Sequence, residues 1–245
     1  ICGWRRVRHG RRDWYRHGSH PCARTRGGRT ADDVQIHCAR NRAGSSLSRA
    51  ILPGPSAGLR IGLFGGSFNP AHSGHFHVAS TAMKRLQLDW VWWIVARGNP
   101  LKTGHGDFSG RFRSAEAVAD HPRMRVTDIE TRLGLTYSYR TLSTLTAAAP
   151  AAKFVWLMGA DNMVNFHLWG AWQGIAQMMP IAIVARPGIG PGARNSPFAR
   201  RFASSRVPAS TAASLPDRDP PAWVYLPAPL DPISSTAIRQ KKAGQ

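Results

Sequence analysis

The chain has 245 residues, of which 42% are hydrophobic, and a formal net charge of +20. That is room for one α/β domain and an appendage, and no run of about 18 apolar residues is present to cross a membrane as a helix. So strong a positive balance points to anionic partners, generically nucleic acid and more narrowly nucleotides.

Residues 1–58 carry twelve Arg, no Lys and three Asp, for a net +9. They show neither helical nor strand periodicity and few aliphatics, so they cannot bury enough surface to offset the entropy of ordering. We expect a disordered Arg-rich extension here, in keeping with translation from upstream of the natural start. Two other readings stand: a basic arm that grips nucleic acid, with Trp4, Trp14 and Tyr15 among its arginines, or a transit peptide. All three cysteines (Cys2, Cys22, Cys38) lie in this stretch. Residues 59–245 therefore hold no disulfide framework and no Cys-based zinc site, which fits a cytosolic protein.

From Leu59 onward, strand-like and helix-like segments alternate. Arg60–Phe64 reads as a short buried strand and Gly74–Leu88 as a helix through Phe76, Ala79, Met83 and Leu86. Trp90–Ala96 is a strand and Phe108–Ala119 a helix. Arg125–Ile129 is a strand, followed by a helix over Ser138–Ala148. Phe154–Met158 is a buried strand, Asn162–Met178 a helix, and Ile181–Ala185 a strand stopped by Pro187. Residues 188–222, rich in Pro, Gly, Ser and Arg, read as a long surface connection of the kind that forms lids, with a short helix near Pro197–Phe202. Val224–Leu226 is a last strand and Ser234–Lys242 a last helix with a Ser/Thr start and a basic end. Strands separated by helices of this length predict βαβ units on a parallel sheet, so residues 59–245 form one α/β domain.

Chemistry concentrates in Gly62-Leu63-Phe64-Gly65-Gly66-Ser67-Phe68-Asn69-Pro70-Ala71-His72-Ser73-Gly74-His75. His72 and His75 fall on one face of a first helical turn, where free N–H groups and the helix dipole favour an anion. The upstream glycines allow a close backbone approach to a phosphate. Such a site suits a nucleoside triphosphate held by imidazoles rather than by a Walker lysine.

The segment GGSFNPAHSGH resembles the signature of the HxGH nucleotidyltransferases, and among them that of the bacterial nicotinate-nucleotide adenylyltransferases. Four more segments match in that family's order: Asn99-Pro100-Leu101-Lys102, Thr136-Tyr137-Ser138, Gly159-Ala160-Asp161-Asn162 with Trp169 and Trp172 downstream, and Ile233-Ser234-Ser235-Thr236-Ala237-Ile238-Arg239. The resemblance covers about residues 59–243. It implies a Rossmann-like parallel sheet flanked by helices, with adenylyl transfer from ATP, accompanied by Mg²⁺, to nicotinate mononucleotide. It assigns ATP to Gly65, Gly66, Ser67, Phe68, His72, His75, Ser234, Ser235, Thr236 and Arg239, with His72, His75 and Arg239 as the catalytic groups. Nicotinate mononucleotide falls to Lys102, Thr136, Tyr137, Asp161 and Trp169, with Trp172 competing for the stack on the pyridine and Arg186 on the same side. No metal ligand is assigned.

Two positions depart from the family pattern: Ala96-Arg97 stands where Ser/Thr-Pro is usual, and Arg140 where an acid is usual. Both lie toward the nicotinate side. Phosphopantetheine or nicotinamide mononucleotide as the acceptor, and nucleic-acid binding through residues 1–58, are the rival readings.

Overall fold

The computed structural model describes residues 51–98, 107–187, 189–229, and 235, 236, 238 and 239. Its axis is β1 (Arg60–Gly66), which pairs in parallel with β2 (Trp90–Val95) on one side and with β4 (Lys153–Gly159) on the other. Beyond β2 lies β3 (Met124–Thr127); beyond β4 lie β5 (Ile181–Val184), β7 (Trp223–Leu226) and the two-residue edge strand β6 (Arg206–Val207). All seven strands are parallel, in the order β3-β2-β1-β4-β5-β7-β6.

Alternate strand residues supply two apolar layers, as the two-residue period demands. Ile61, Leu63, Trp92, Ile94, Trp156, Met158, Ile181 and Ile183 face one side. Phe64, Val91, Trp93, Val95, Val155, Leu157, Ala182 and Val184 face the other. Burial on both faces explains why the strands read as unbroken apolar runs. Helix α1 (Ser73–Arg85) covers the second layer with Val78, Ala79, Ala82 and Met83, next to α2 (Phe108–Val118). The first layer is covered by α4 (Ser138–Ala148), α5 (Ala160–Asn165) and α6 (Trp172–Met178). Strand order reverses between β1 and β4, and the crevice beyond the carboxyl ends of those two strands is where an open α/β sheet takes its ligand.

Four sequence expectations need correction. The strand read over Arg125–Ile129 ends at Thr127; Ile129 opens a one-turn helix, α3 (Ile129–Arg132). The helix expected over Asn162–Met178 is broken after α5 by a 3-10 turn (Phe166–Leu168) and by Trp169–Ala171. There Trp169 is extended and Ala171 is left-handed at φ 54°. Residues 189–222 are folded structure rather than a surface lid. They contain α7 (Gly190–Arg194), α8 (Pro197–Arg201), β6 and a 3-10 stretch (Ala209–Asp217), with Phe198, Phe202, Val207, Ala212 and Leu215 buried. Each of these elements is too short or too kinked to show a helical period; Pro197 opens α8 behind Ser196, whose hydroxyl accepts the Ala199 N–H at 3.2 Å, while Pro216 lies inside the 3-10 stretch. Finally, Ile51 and Leu52 already pack on the first layer, ahead of the boundary read at Leu59.

Candidate active site

Past β1 the chain turns through Ser67–Ala71 into α1, whose N-cap is His72, in extended conformation at φ −155° and ψ 170°. The His72 N–H donates to His75 Nδ1 at 3.2 Å, and the two rings lie 3.9 Å apart by their centroids. A neutral His75 whose Nδ1 accepts must carry its proton on Nε2. The cap therefore fixes the tautomer, with the ring N–H on Nε2. The first turn of α1 holds no acidic residue. No negative side chain there opposes an anion drawn to the positive end of the helix dipole. A Cβ at Gly74 would meet Arg186 Nη1 at 2.5 Å and the His72 ring at 3.0 Å, so a side chain there would displace the guanidinium and press on His72.

The far end of the chain returns to this turn. Ser235 Oγ donates to the Pro70 carbonyl at 3.0 Å, and Arg239 donates to the Asn69 carbonyl at 2.5 Å and to Thr236 Oγ1 at 3.2 Å. Together they border a cavity of about 480 Å³, lined at this end by Gly65, Gly66, Ser67, His72, His75, Ser235, Thr236 and Arg239. Its other end is lined by Thr136, Tyr137, Ser138, Asp161, Asn162, Leu168, Trp169 and Gly170, with Arg186 beside Asp161 at 3.9 Å. Two ends of this kind, one dense in N–H and cationic donors and one aromatic, suit a polyphosphate next to a planar ring.

A family model described as Cytidylyltransferase-like matches residues 63–241. A Caulobacter sp. chain named "Probable nicotinate-nucleotide adenylyltransferase" is 50% identical over 186 residues, covering 75% of this chain and 98% of the relative. One of the same name from Cereibacter sphaeroides is 49% identical over 180 residues, covering 73% and 96%. The chain belongs to the nicotinate-nucleotide adenylyltransferase family. Among solved structures, the Plasmodium falciparum nicotinic acid mononucleotide adenylyltransferase complexed with NaAD shares the fold. It does so at 17% identity and a TM-score of 0.57, over 74% of this chain and 83% of that one.

Of the residues that the adenylyltransferase resemblance assigns, the cavity brings together Gly65, Gly66, Ser67, His72, His75, Ser235, Thr236, Arg239, Thr136, Tyr137, Asp161 and Trp169. Ser234 and Lys102 lie outside the described residues. Phe68 does not line the cavity. At φ 45° its backbone turns the ring inward, where it is buried against Phe64, Trp93 and His75 and supports the imidazole from behind. Of the two tryptophans, Trp169 faces the cavity, held edge-on by Phe166 and Trp156. Trp172 packs with Phe166, Phe198 and Phe202 instead. Arg140 is exposed and is not among the lining residues.

Two residues escaped sequence reasoning. Glu130 lines the cavity, yet is only 5% exposed. Burial raises its carboxyl to about 7, against the pull of the Thr141 hydroxyl, the Arg97 N–H and the Arg111 charge. Arg111 is 3% exposed; burial lowers its pKa, opposed by Asp107 and Glu130. An acid after a short strand and an Arg in a helix, each with a like-charged neighbour two residues away (Asp128, Arg113), carry no motif, so the sequence did not flag them.

Proposed function

We propose that this chain transfers the adenylyl group of ATP to the phosphate of nicotinate mononucleotide, forming the dinucleotide and releasing pyrophosphate. The observation that carries the reading is the convergence of Ser235, Thr236 and Arg239 on the His72–His75 turn, with Trp169 across the same cavity. The attacking group is already an anionic phosphate, so no general base or covalent nucleophile is called for. Rate comes from alignment and from stabilising charge on the α-phosphate and the departing pyrophosphate.

In this reading the α1 N-terminus and His75 Nε2–H hold the phosphates, and His72 shares that role. Arg239, with the hydroxyls of Ser235 and Thr236, receives the β,γ end. Asp161 accepts from a ribose hydroxyl, Trp169 stacks on the pyridine, and the Thr136–Tyr137 backbone meets its carboxylate. Among the described residues no group of three or more His, Cys, Asp or Glu is placed to hold a metal. In our proposal a divalent cation, Mg²⁺, enters with the nucleotide substrate and neutralises its phosphates, with Asp161 as a nearby carboxylate. We place the reaction in the cytoplasm, where its nucleoside triphosphate substrate is available.

The test is pyrophosphate release from Mg-ATP with nicotinate mononucleotide, nicotinamide mononucleotide or phosphopantetheine as acceptor. A strong preference for the first is expected. Comparable rates with phosphopantetheine would overturn the reading.

A further inference from the structure

Two buried ionisable side chains, Glu130 in the cavity wall and Arg111 outside its lining, have no part in the chemistry above. Arg111, from α2, donates through Nη1 to the Ser67 carbonyl at 2.8 Å and to the Ala96 carbonyl at 2.8 Å, and through Nη2 to the Arg97 carbonyl at 3.3 Å. Glu130, from α3, accepts the Arg97 N–H on Oε2 at 3.2 Å and the Thr141 hydroxyl on Oε1 at 3.0 Å. The Arg97 residue is thus gripped at both backbone ends, its N–H by one buried charge and its C=O by the other. The same guanidinium reaches across to Ser67, at the phosphate end of the cavity. Ser67 follows β1 and Ala96–Arg97 follow β2; the Ala96 N–H bond to the Gly66 carbonyl at 2.9 Å ends the backbone ladder between them, and Arg111 ties the two loops together just beyond that point.

Stability alone gives a poor account of this arrangement. Burying charges costs free energy, and a well-packed apolar pair in the same volume is often neutral or better. Moreover, these hydrogen bonds join the two side chains to the backbone that shapes the cavity and to Thr141, the residue four on from Tyr137. Three wall segments converge on them: the Ser67 turn, the Ala96–Arg97 turn and the start of α4.

We propose that Arg111 and Glu130 are positioning residues for the transfer reaction, fixing the spacing between the loop at the triphosphate end and the loop facing the second substrate. Neither touches the reacting atoms. Their effect is on alignment, where a displacement of about 1 Å costs on the order of 100-fold in rate. The inference rests on the functional reading above, since it takes nicotinate mononucleotide as the occupant of the second end.

The experiment compares the full chain with Glu130→Gln, Thr141→Val, Thr141→Ser, Arg111→Lys and Arg111→Met. It measures the KM for each substrate, kcat, the melting temperature and amide exchange at Arg97. Glu130→Gln is expected to raise the KM for nicotinate mononucleotide about tenfold, to leave that for ATP within about twofold and to speed Arg97 exchange at least about tenfold, without lowering the melting temperature. Thr141→Val should show the same pattern more weakly, and Thr141→Ser should restore it. Arg111→Met, which frees both loops, should lower kcat about 100-fold, and Arg111→Lys should recover only part of that.

Unchanged KM values and unchanged Arg97 exchange in Glu130→Gln would overturn the proposal. So would losses in every variant that merely track the melting temperature. Should Arg111→Met fail to fold, Glu130→Gln and the Thr141 pair decide the matter. Wild-type chain inert toward nicotinate mononucleotide would sink the functional reading instead, and Arg97 exchange then decides the strut without any turnover.

Discussion

The Glu130 carboxyl makes stability depend on pH in a direction opposite to that of most acidic residues. Its folded value is about 7 against an ordinary 4.5, with burial as the main cause. The folded chain therefore binds this proton more tightly than the unfolded chain. The stabilising contribution is complete below about pH 4.5, declines as pH rises, and is lost once pH passes about 7. At about 1.4 kcal/mol per unit, the gap amounts to on the order of 3 kcal/mol, an upper figure because a buried site relaxes. Replacing Glu130 by Gln keeps the volume, removes the titration and weakens one hydrogen bond, a loss of about 1 kcal/mol. The variant should thus be equal to or slightly less stable than the parent at pH 5, and more stable by about 2 kcal/mol at pH 8. Urea unfolding followed by tryptophan fluorescence at pH 5, 6, 7 and 8 measures the difference. Parallel stability curves for the two proteins would refute the reasoning.

Other substitutions separate function from folding. His75→Ala should lose nearly all turnover, measured as pyrophosphate release, while the lost cap contact costs only about 1 kcal/mol in denaturant. Trp169→Ala should raise the KM for nicotinate mononucleotide about tenfold, for a stacking loss of about 1–2 kcal/mol. Trp172→Ala should instead lower stability by about 2–3 kcal/mol, less than a fully buried Trp would, because its partly buried ring packs among Phe166, Phe198 and Phe202. Gly74→Ala should retain or gain helix stability, by up to about 1 kcal/mol, yet impair catalysis by pushing on Arg186 and His72. A Gly74→Ala enzyme with parental kcat/KM would contradict that contact.

Sequence reading recovered the parts of this protein whose signals are local. The strands at Arg60, Trp90, Phe154 and Ile181 are buried on both faces, so each announces itself as an apolar run between breakers. The HxGH turn and the Ser235–Arg239 segment are motifs because a phosphate site demands fixed residue types at fixed spacing. What escaped notice depends on contacts between distant segments. The break at Trp169–Ala171 is set by a left-handed alanine that no propensity rule selects, and it is this break that turns Trp169 into the cavity while Trp172 stays in the core. Phe68 was misplaced for a related reason: a positive φ in a phenylalanine directs its ring under His75 rather than outward. Glu130 and Arg111 act through backbone carbonyls and amides, partners that every residue possesses and that leave no trace in side-chain pattern.

The anchoring of Ser235 to Pro70 and of Arg239 to Asn69 joins positions 165 and 170 apart in the chain. On a ribosome, the Ser235–Arg239 end of the cavity therefore stays open until almost all of residues 63–241 have been made. A nascent chain released from the tunnel only as far as β7 already contains the His72 turn and all seven strands, yet lacks the Ser235 and Arg239 side chains that anchor to that turn. With those side chains holding ATP as proposed above, adenylyl transfer becomes available as a single late event in synthesis, and a chain truncated before Ser235 should fold its sheet while remaining unable to retain ATP.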